Sequence, residues 1–115
     1  MDANEQGRRA EALCAHLLEG AGLALVARNF RCRLGEVDLI AREGETLVFC
    51  EVRLRCNTSF GGAAESITWA KRARIAAAAR FYLAGKPQSD CRFDVMLLDG
   101  LDPQRVHWIR DAFRC

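Results

Sequence analysis

The sequence predicts a single mixed domain of the α/β (α+β) class: a helix, three strands, a second helix and two more strands. Three observations carry that expectation. Apolar residues recur at helical spacing in two stretches, one near the amino terminus and one between residues 67 and 84. Between and after them lie short runs rich in Val, Ile, Leu and Phe, separated by glycine-containing turns. At 115 residues the chain can bury one core but not two. Residues 1–115 are therefore read as one unit, a mixed sheet with helices packed on it.

Each element has its own signal. Ala10, Leu13, Cys14, Leu17, Leu18 and Ala21 fall at the spacing that draws one apolar stripe along a helix, which Gly20 and Gly22 stop. LALVARNFRCR is a β-rich run closed by a turn at Leu34-Gly35. EVDLIA and TLVFCEVRLR are the second and third strands, joined through Glu43-Gly44-Glu45-Thr46. Glycine in the first central place of that turn fits type II′. After the loop CNTSFGGAAE, Ser66 is the expected cap of a second helix over Ile67 to Ala84, ended by Gly85 and Pro87. CRFDVMLL is a fourth strand, apolar on both faces except at Asp94, and VHWI a short fifth.

Composition narrows the function classes. No apolar run approaches the roughly 20 residues needed to cross a bilayer, and no basic-then-apolar leader opens the chain. A cytoplasmic protein without a membrane partner is expected. In that reducing compartment the six cysteines, none in a C-x-x-C pair, are read as small apolar residues. Net charge is only +2, yet Glu51 to Lys86 holds seven Lys or Arg against two Glu. Nucleic acid suits that surplus as a partner; a solvated helix face built of arginines accounts for it without one.

The II′ turn fixes a hairpin register that pairs Ile40 with Phe49, Asp38 with Glu51 and Glu36 with Arg53. Those six share one face. Val37, Leu39, Ala41, Val48, Cys50, Val52 and Leu54 share the other, which is apolar throughout and expected to be the core side. Opposed Cβ atoms lie about 4.5–5.5 Å apart, so Asp38 and Glu51 bring like charges together. A divalent cation relieves that repulsion. Mg²⁺ takes one or two carboxylates and keeps positions for water and phosphate oxygens, as a phosphodiester hydrolase requires. Arginines relieve it too, with Arg53 on Glu36. Glu11 borders the stripe of the first helix in line with Gly7, Cys14 and Leu18, and can reach the sheet edge. Lys71 falls near the middle of the apolar arc formed by Ile67, Ile75, Ala78 and Tyr82. There it either snorkels outward or meets an anion.

Asp94 needs a buried partner, and a helix arginine such as Arg74 is expected in preference to Arg92. Trp69 falls on the outward face of the second helix. With Trp108 and Phe113 it is a candidate contact for a protein partner or for a homodimer, unless Trp108 is core. His16 and His107 show no partner pattern and are read as structural or surface residues.

GEVDLI followed by VFCEVR resembles the D…(D/E)-x-K signature of the restriction-endonuclease-like superfamily. Ala10-Glu11-Ala12, Gly22, Arg28-Asn29, GEVDLIA, VFCEVRLR, Phe60-Gly61, Glu65-Ser66, Lys71-x-x-Arg74-Ile75 and Arg92-Phe93-Asp94-Val95 together look like the YraN-type family of small bacterial proteins. The resemblance implies a restriction-endonuclease-like αβββαβ core with a mixed central sheet flanked by helices. It implies that Glu11, Asp38 and Glu51 hold one or two Mg²⁺ or Mn²⁺ ions and that a metal-activated water attacks a nucleic acid phosphodiester. DNA is the expected substrate, at branched or damaged structures, because junction resolvases share the fold. One residue departs from the signature: Arg53 stands where the superfamily has lysine, an exchange that keeps charge but not shape or acidity. Three accounts follow. Arg53 acts as an electrostatic clamp, or Lys71 supplies the missing ammonium, or the domain is a non-catalytic nucleic-acid-binding module. In that module Arg53, Arg55, Lys71, Arg72 and Arg74 contact phosphates and binding falls steeply with salt.

Overall fold

The elements follow in the expected order in a computed structural model that describes residues 2–54 and 67–114. They are α1 (Ala3–Gly20), β1 (Ala24–Cys32), β2 (Gly35–Glu43), β3 (Thr46–Leu54), α2 (Trp69–Leu83), β4 (Cys91–Leu98) and β5 (Val106–Phe113), with a 3-10 turn at Pro103–Arg105 before β5. The five strands form one sheet in chain order. All neighbours are antiparallel except β3 and β4, which are parallel. A parallel pair needs a long crossover, and α2 lies within it. The result is a mixed α+β sandwich whose element order matches an αβββαβ core.

Local chemistry sets the boundaries. Asp2 caps α1, its Oδ1 accepting from the Glu5 N–H at 2.7 Å. α2 is capped by Thr68, whose Oγ1 accepts from the Lys71 N–H at 3.1 Å; Ser66, the expected cap, lies outside the described residues, as does Arg55. Gly44 has φ 60° while Glu45 keeps an ordinary negative φ, as a II′ turn demands. The pairs Glu43↔Thr46 to Leu39↔Cys50 carry the expected register.

The hairpin does not have one core side and one polar side. Both faces are cores, because a helix covers each. α1 brings Ala10, Cys14, Ala15 and Leu18 onto Leu39, Ala41, Val48, Cys50, Met96 and Leu98. α2 brings Ile75, Ala76, Ala78 and Ala79 onto Ile40, Phe49, Phe93, Val95 and Leu97. The central strands are thus buried on both sides, as parallel pairs generally are. Alternation also breaks where it was expected to hold. Val37 joins Ile40 and Phe49 rather than Leu39, and its partner Phe30 joins Ala27. The break coincides with Asn29, which takes φ 50°, a left-handed conformation that Asn tolerates and that bends the strand. Cys14 and Cys50 are core residues; burial pushes the Cys14 thiol up to about 12 and Cys50 well above its ordinary range. Among the described residues no helix is long and apolar enough to cross a membrane.

Asp94, fully buried, is held by Arg92 and not by Arg74. Arg92 donates to it from Nε at 2.9 Å and from Nη2 at 3.2 Å. Trp108 Nε1–H and the Asp111 N–H each donate at 2.9 Å. The reason is topological. Asp94 faces α1 alongside Met96 and Leu98, whereas Arg74 rides on α2 across the sheet. Arg92 folds back along its own strand, and Asp111, at φ 53° beside a register shift in β5, turns its N–H onto the carboxylate. Arg92 and Arg110 also grip Glu43 and hold its carboxyl below the usual range. Arg110 stacks on the Trp108 ring at 3.9 Å. Trp108 is therefore half-buried in this network and Phe113 is core, so neither joins an exposed aromatic patch; Trp69, 80% exposed, points outward as expected.

At Gly35 a Cβ would overlap the Arg74 carbonyl, so β2 and α2 meet there with no room for a side chain. Gly35→Ala is expected to lose about 1–3 kcal/mol of stability by overpacking. Asp94→Ala, which leaves Trp108 Nε1–H and the Asp111 N–H without their acceptor while Arg92 keeps Glu43, is expected to lose about 1–3 kcal/mol. Urea unfolding checks both; midpoints equal to wild type would discard these roles.

Candidate active site

The paired stretch of β2 and β3 ends at Leu39↔Cys50. One residue further, Asp38 takes over. Its Oδ2 accepts the Val52 N–H at 2.8 Å, so a side-chain carboxylate enters the gap between the two strands. Glu51, next on β3 and only 2% exposed, follows Phe49 toward α2. Its carboxyl lies close enough to that of Asp38 for the two to act on each other. The adjacency read from the hairpin is therefore present, made by side chains where the strands part.

Lys71, half-buried on the inward side of α2, meets the carboxyl pair. Nζ lies 2.6 Å from Glu51 Oε2. That contact has ion-pair distance but not hydrogen-bond angles, and Oε2, buried, has no hydrogen-bond partner. Two carboxyl groups in contact also need a proton between them. Burial first, and Asp38 second, push the Glu51 pKa up to about 8, against the opposing pull of Lys71. Below that pH Glu51 keeps its proton.

Glu11 reaches this edge from α1. Burial first, then the nearby Asp38, raise its carboxyl, while a hydrogen bond from the Asn29 side chain lowers it. Glu11 thus stands beside Asp38 but is bonded to Asn29. Among the described residues no three His, Cys, Asp or Glu side chains are arranged as a metal-holding group. Asp38 and Glu51 form the close pair, and Glu11 flanks it.

The basic residues divide by position. Arg53 is half-buried two residues beyond Glu51. The Arg72 guanidinium lies 5.0 Å from the centre of the Trp69 ring and 5.6 Å from that of Phe113, held by aromatic faces. Arg74 is exposed on α2. Glu36, assigned by register to Arg53, pairs with Arg31 of β1 at 3.1 Å. His16 and His107 are exposed. Residue-by-residue reading gave no role to Asn29 or Arg31, although an Asn inside a β-rich run, a residue depleted from strands, marks the bend that brings them beside Glu11.

Comparison with known proteins places these residues in a wider set. A family model described as "Uncharacterised protein family UPF0102" matches residues 10–98. A UPF0102 protein of Dechloromonas aromatica is 55% identical over 108 residues, covering 94% of this chain and 88% of its own. One from Nitrosospira multiformis is 50% identical over 109 residues, covering 94% and 92%. One from Nitrosomonas europaea is 48% identical over 112 residues, covering 96% and 95%.

Glu51 makes stability depend on pH in a defined direction. Its folded-state pKa is raised above the ordinary 4.5, so between pH 4.5 and about 8 the folded chain holds a proton that the unfolded chain has released. Through this group, stability falls as pH rises across that window and is level on either side. Glu51→Gln removes the titration. Relative to wild type, the variant should gain stability between about pH 5 and about pH 8 in urea unfolding; parallel pH profiles for the two proteins would discard the raised pKa.

Proposed function

The chain belongs to the uncharacterised protein family UPF0102, and as its function we propose metal-dependent hydrolysis of nucleic acid phosphodiesters, with DNA as the substrate. The observation that carries this reading is the buried pair Asp38–Glu51 with an ammonium 2.6 Å away. Such a pair is costly to fold, and Glu51 Oε2, buried, has Lys71 as its ion-pair partner but no hydrogen bond of good geometry. A divalent cation suits that oxygen. Two carboxylates are the protein ligands Mg²⁺ commonly takes, with its other positions left to water and phosphate oxygens.

When bound, Mg²⁺ or Mn²⁺ would supply a Lewis acid and a water of lowered pKa. The chain's own residues do the rest. Glu51 would give up its proton so that both carboxylates could hold the ion, and the Val52 N–H keeps Asp38 oriented. Glu11 offers a further carboxylate at the Asp38 side. Lys71 places a mobile ammonium at the phosphate, the part that resemblance to the superfamily gives to a lysine at position 53. Arg53 adds fixed positive charge on the same strand.

A second reading, a non-catalytic nucleic-acid-binding module, is favoured by Arg53 at the signature position and by the lack, among the described residues, of three carboxylates arranged to hold a metal. A nuclease assay decides between them. Labelled duplex, single-stranded and branched DNA are incubated with Mn²⁺ or Mg²⁺. Wild type is expected to cut; Asp38→Ala and Glu51→Ala to lose at least about 100-fold, and Lys71→Ala on the order of 100- to 1000-fold. Cutting that persists in both carboxylate variants would end the nuclease reading, and DNA binding without cutting under any metal would favour the module.

Proton release gives an independent check. Mn²⁺ titrated calorimetrically in buffers of different ionisation enthalpy should release about one proton near pH 7, and none from Glu51→Gln. No release from wild type would mean that the pair does not ligate the ion.

A further inference from the structure

On the α1 side of the sheet, beside Glu11, a cleft of about 420 Å³ opens between the first turns of α1 and β1. Asn4, Gly7, Arg8, Glu11, Asn29 and Arg31 line it. That volume falls in the range of small-ligand sites. The lining is polar, charged or glycine throughout. A cleft near the other end of α1 differs, with Leu17, Met96, Val106 and Trp108 among its walls. Two guanidinium groups and two side-chain amides suit a ligand rich in negative oxygen, and they outweigh the single carboxylate, Glu11, at the border with Asp38.

The surroundings keep the cleft open and basic. Arg8 is exposed on α1. Arg31 meets Glu36 through Nε at 3.1 Å, and its charge also acts on Glu11. The left-handed Asn29 turns its amide onto Glu11 at the inner end. At Gly7 no atom lies within 4 Å of where a Cβ would stand, so the α1 wall is unfilled at that point.

We propose that this cleft binds a backbone phosphate of the nucleic acid strand, next to the phosphate that is cleaved, with Arg8 and Arg31 as its grip. The inference rests on the nuclease reading and adds the path of the substrate. The described cations of the basic segment from Glu51 to Lys86 lie on β3, on α2 and just beyond α2, and none is on α1 or β1. With Arg8 and Arg31 the strand is held on both sides, entering over α1 and β1 and reaching Lys71 on α2.

The test is binding of fluorescein-labelled single-stranded and duplex DNA, followed by anisotropy over a range of salt with Ca²⁺ in place of Mn²⁺, alongside the cleavage assay. An Arg8→Ala/Arg31→Ala double variant should bind about tenfold more weakly near 0.1 M salt. Its log K against log salt slope should shrink by about 1.4 on single strands and about 1.8 on duplex, the loss of two phosphate contacts. Gly7→Ala and Gly7→Glu both improve helix propensity, so a difference between them reports charge and not folding. Gly7→Ala should bind like wild type, and Gly7→Glu as weakly as the double variant. If wild type binds and cuts DNA while the double variant and Gly7→Glu keep its affinity and slope, the cleft is not a phosphate site and the nuclease reading stands. Wild type that neither binds nor cuts DNA overturns both.

Discussion

A carboxylate standing in the seam between two strands is the feature on which this molecule turns. Asp38 takes the Val52 N–H where β2 and β3 separate, and its neighbour across the seam is another carboxyl group, Glu51. Burial and the neighbouring Asp38 keep Glu51 protonated near neutral pH. The surroundings are arranged accordingly. Helices cover both faces, α1 carries Glu11 to one side where the Asn29 bend meets it, and Thr68 starts α2 so that its first turn delivers Lys71 to the other.

A second buried carboxylate shows by contrast what a purely structural solution looks like. Asp94 is more deeply buried than Glu51, yet both its oxygens accept hydrogen bonds from the guanidinium, the indole and a backbone N–H. Nothing further is asked of it. Arg92 and Arg110 extend the network to Glu43, tying β2, β4 and β5 together at one end of the sheet. Glu51 sits in the same sheet against a second carboxyl group, Asp38, with one ammonium, Lys71, beside its Oε2. Fully satisfied polar networks fix a fold, whereas partly satisfied ones need a further explanation.

The distribution of positive charge follows the same logic of sides. Arg72 is committed to the faces of Trp69 and Phe113, which makes it part of the scaffold under the first turn of α2. Lys71, one residue earlier, points instead at Glu51. Adjacent helix positions differ by about 100°, so neighbouring cations in one basic run serve separate purposes.

Much of this was legible in the chain itself. Element order, the II′ turn, the register of the hairpin and the adjacency of Asp38 and Glu51 all follow from local rules: periodicity for the helices, glycine with positive φ for the turn, and residue counting outward from it. The inward setting of Lys71 was legible for the same reason. What local rules cannot supply is which face of the sheet each helix covers and where a strand bends. Those decided that both hairpin faces are core, that Val37 changes sides, that Asp94 is beyond the reach of Arg74, and that Arg8, Asn29 and Arg31 converge beside Glu11. Sequence determines periodicity and pairing because those act between near neighbours; tertiary structure decides partners of buried charge, because those are chosen by whichever long side chain the packing leaves within reach.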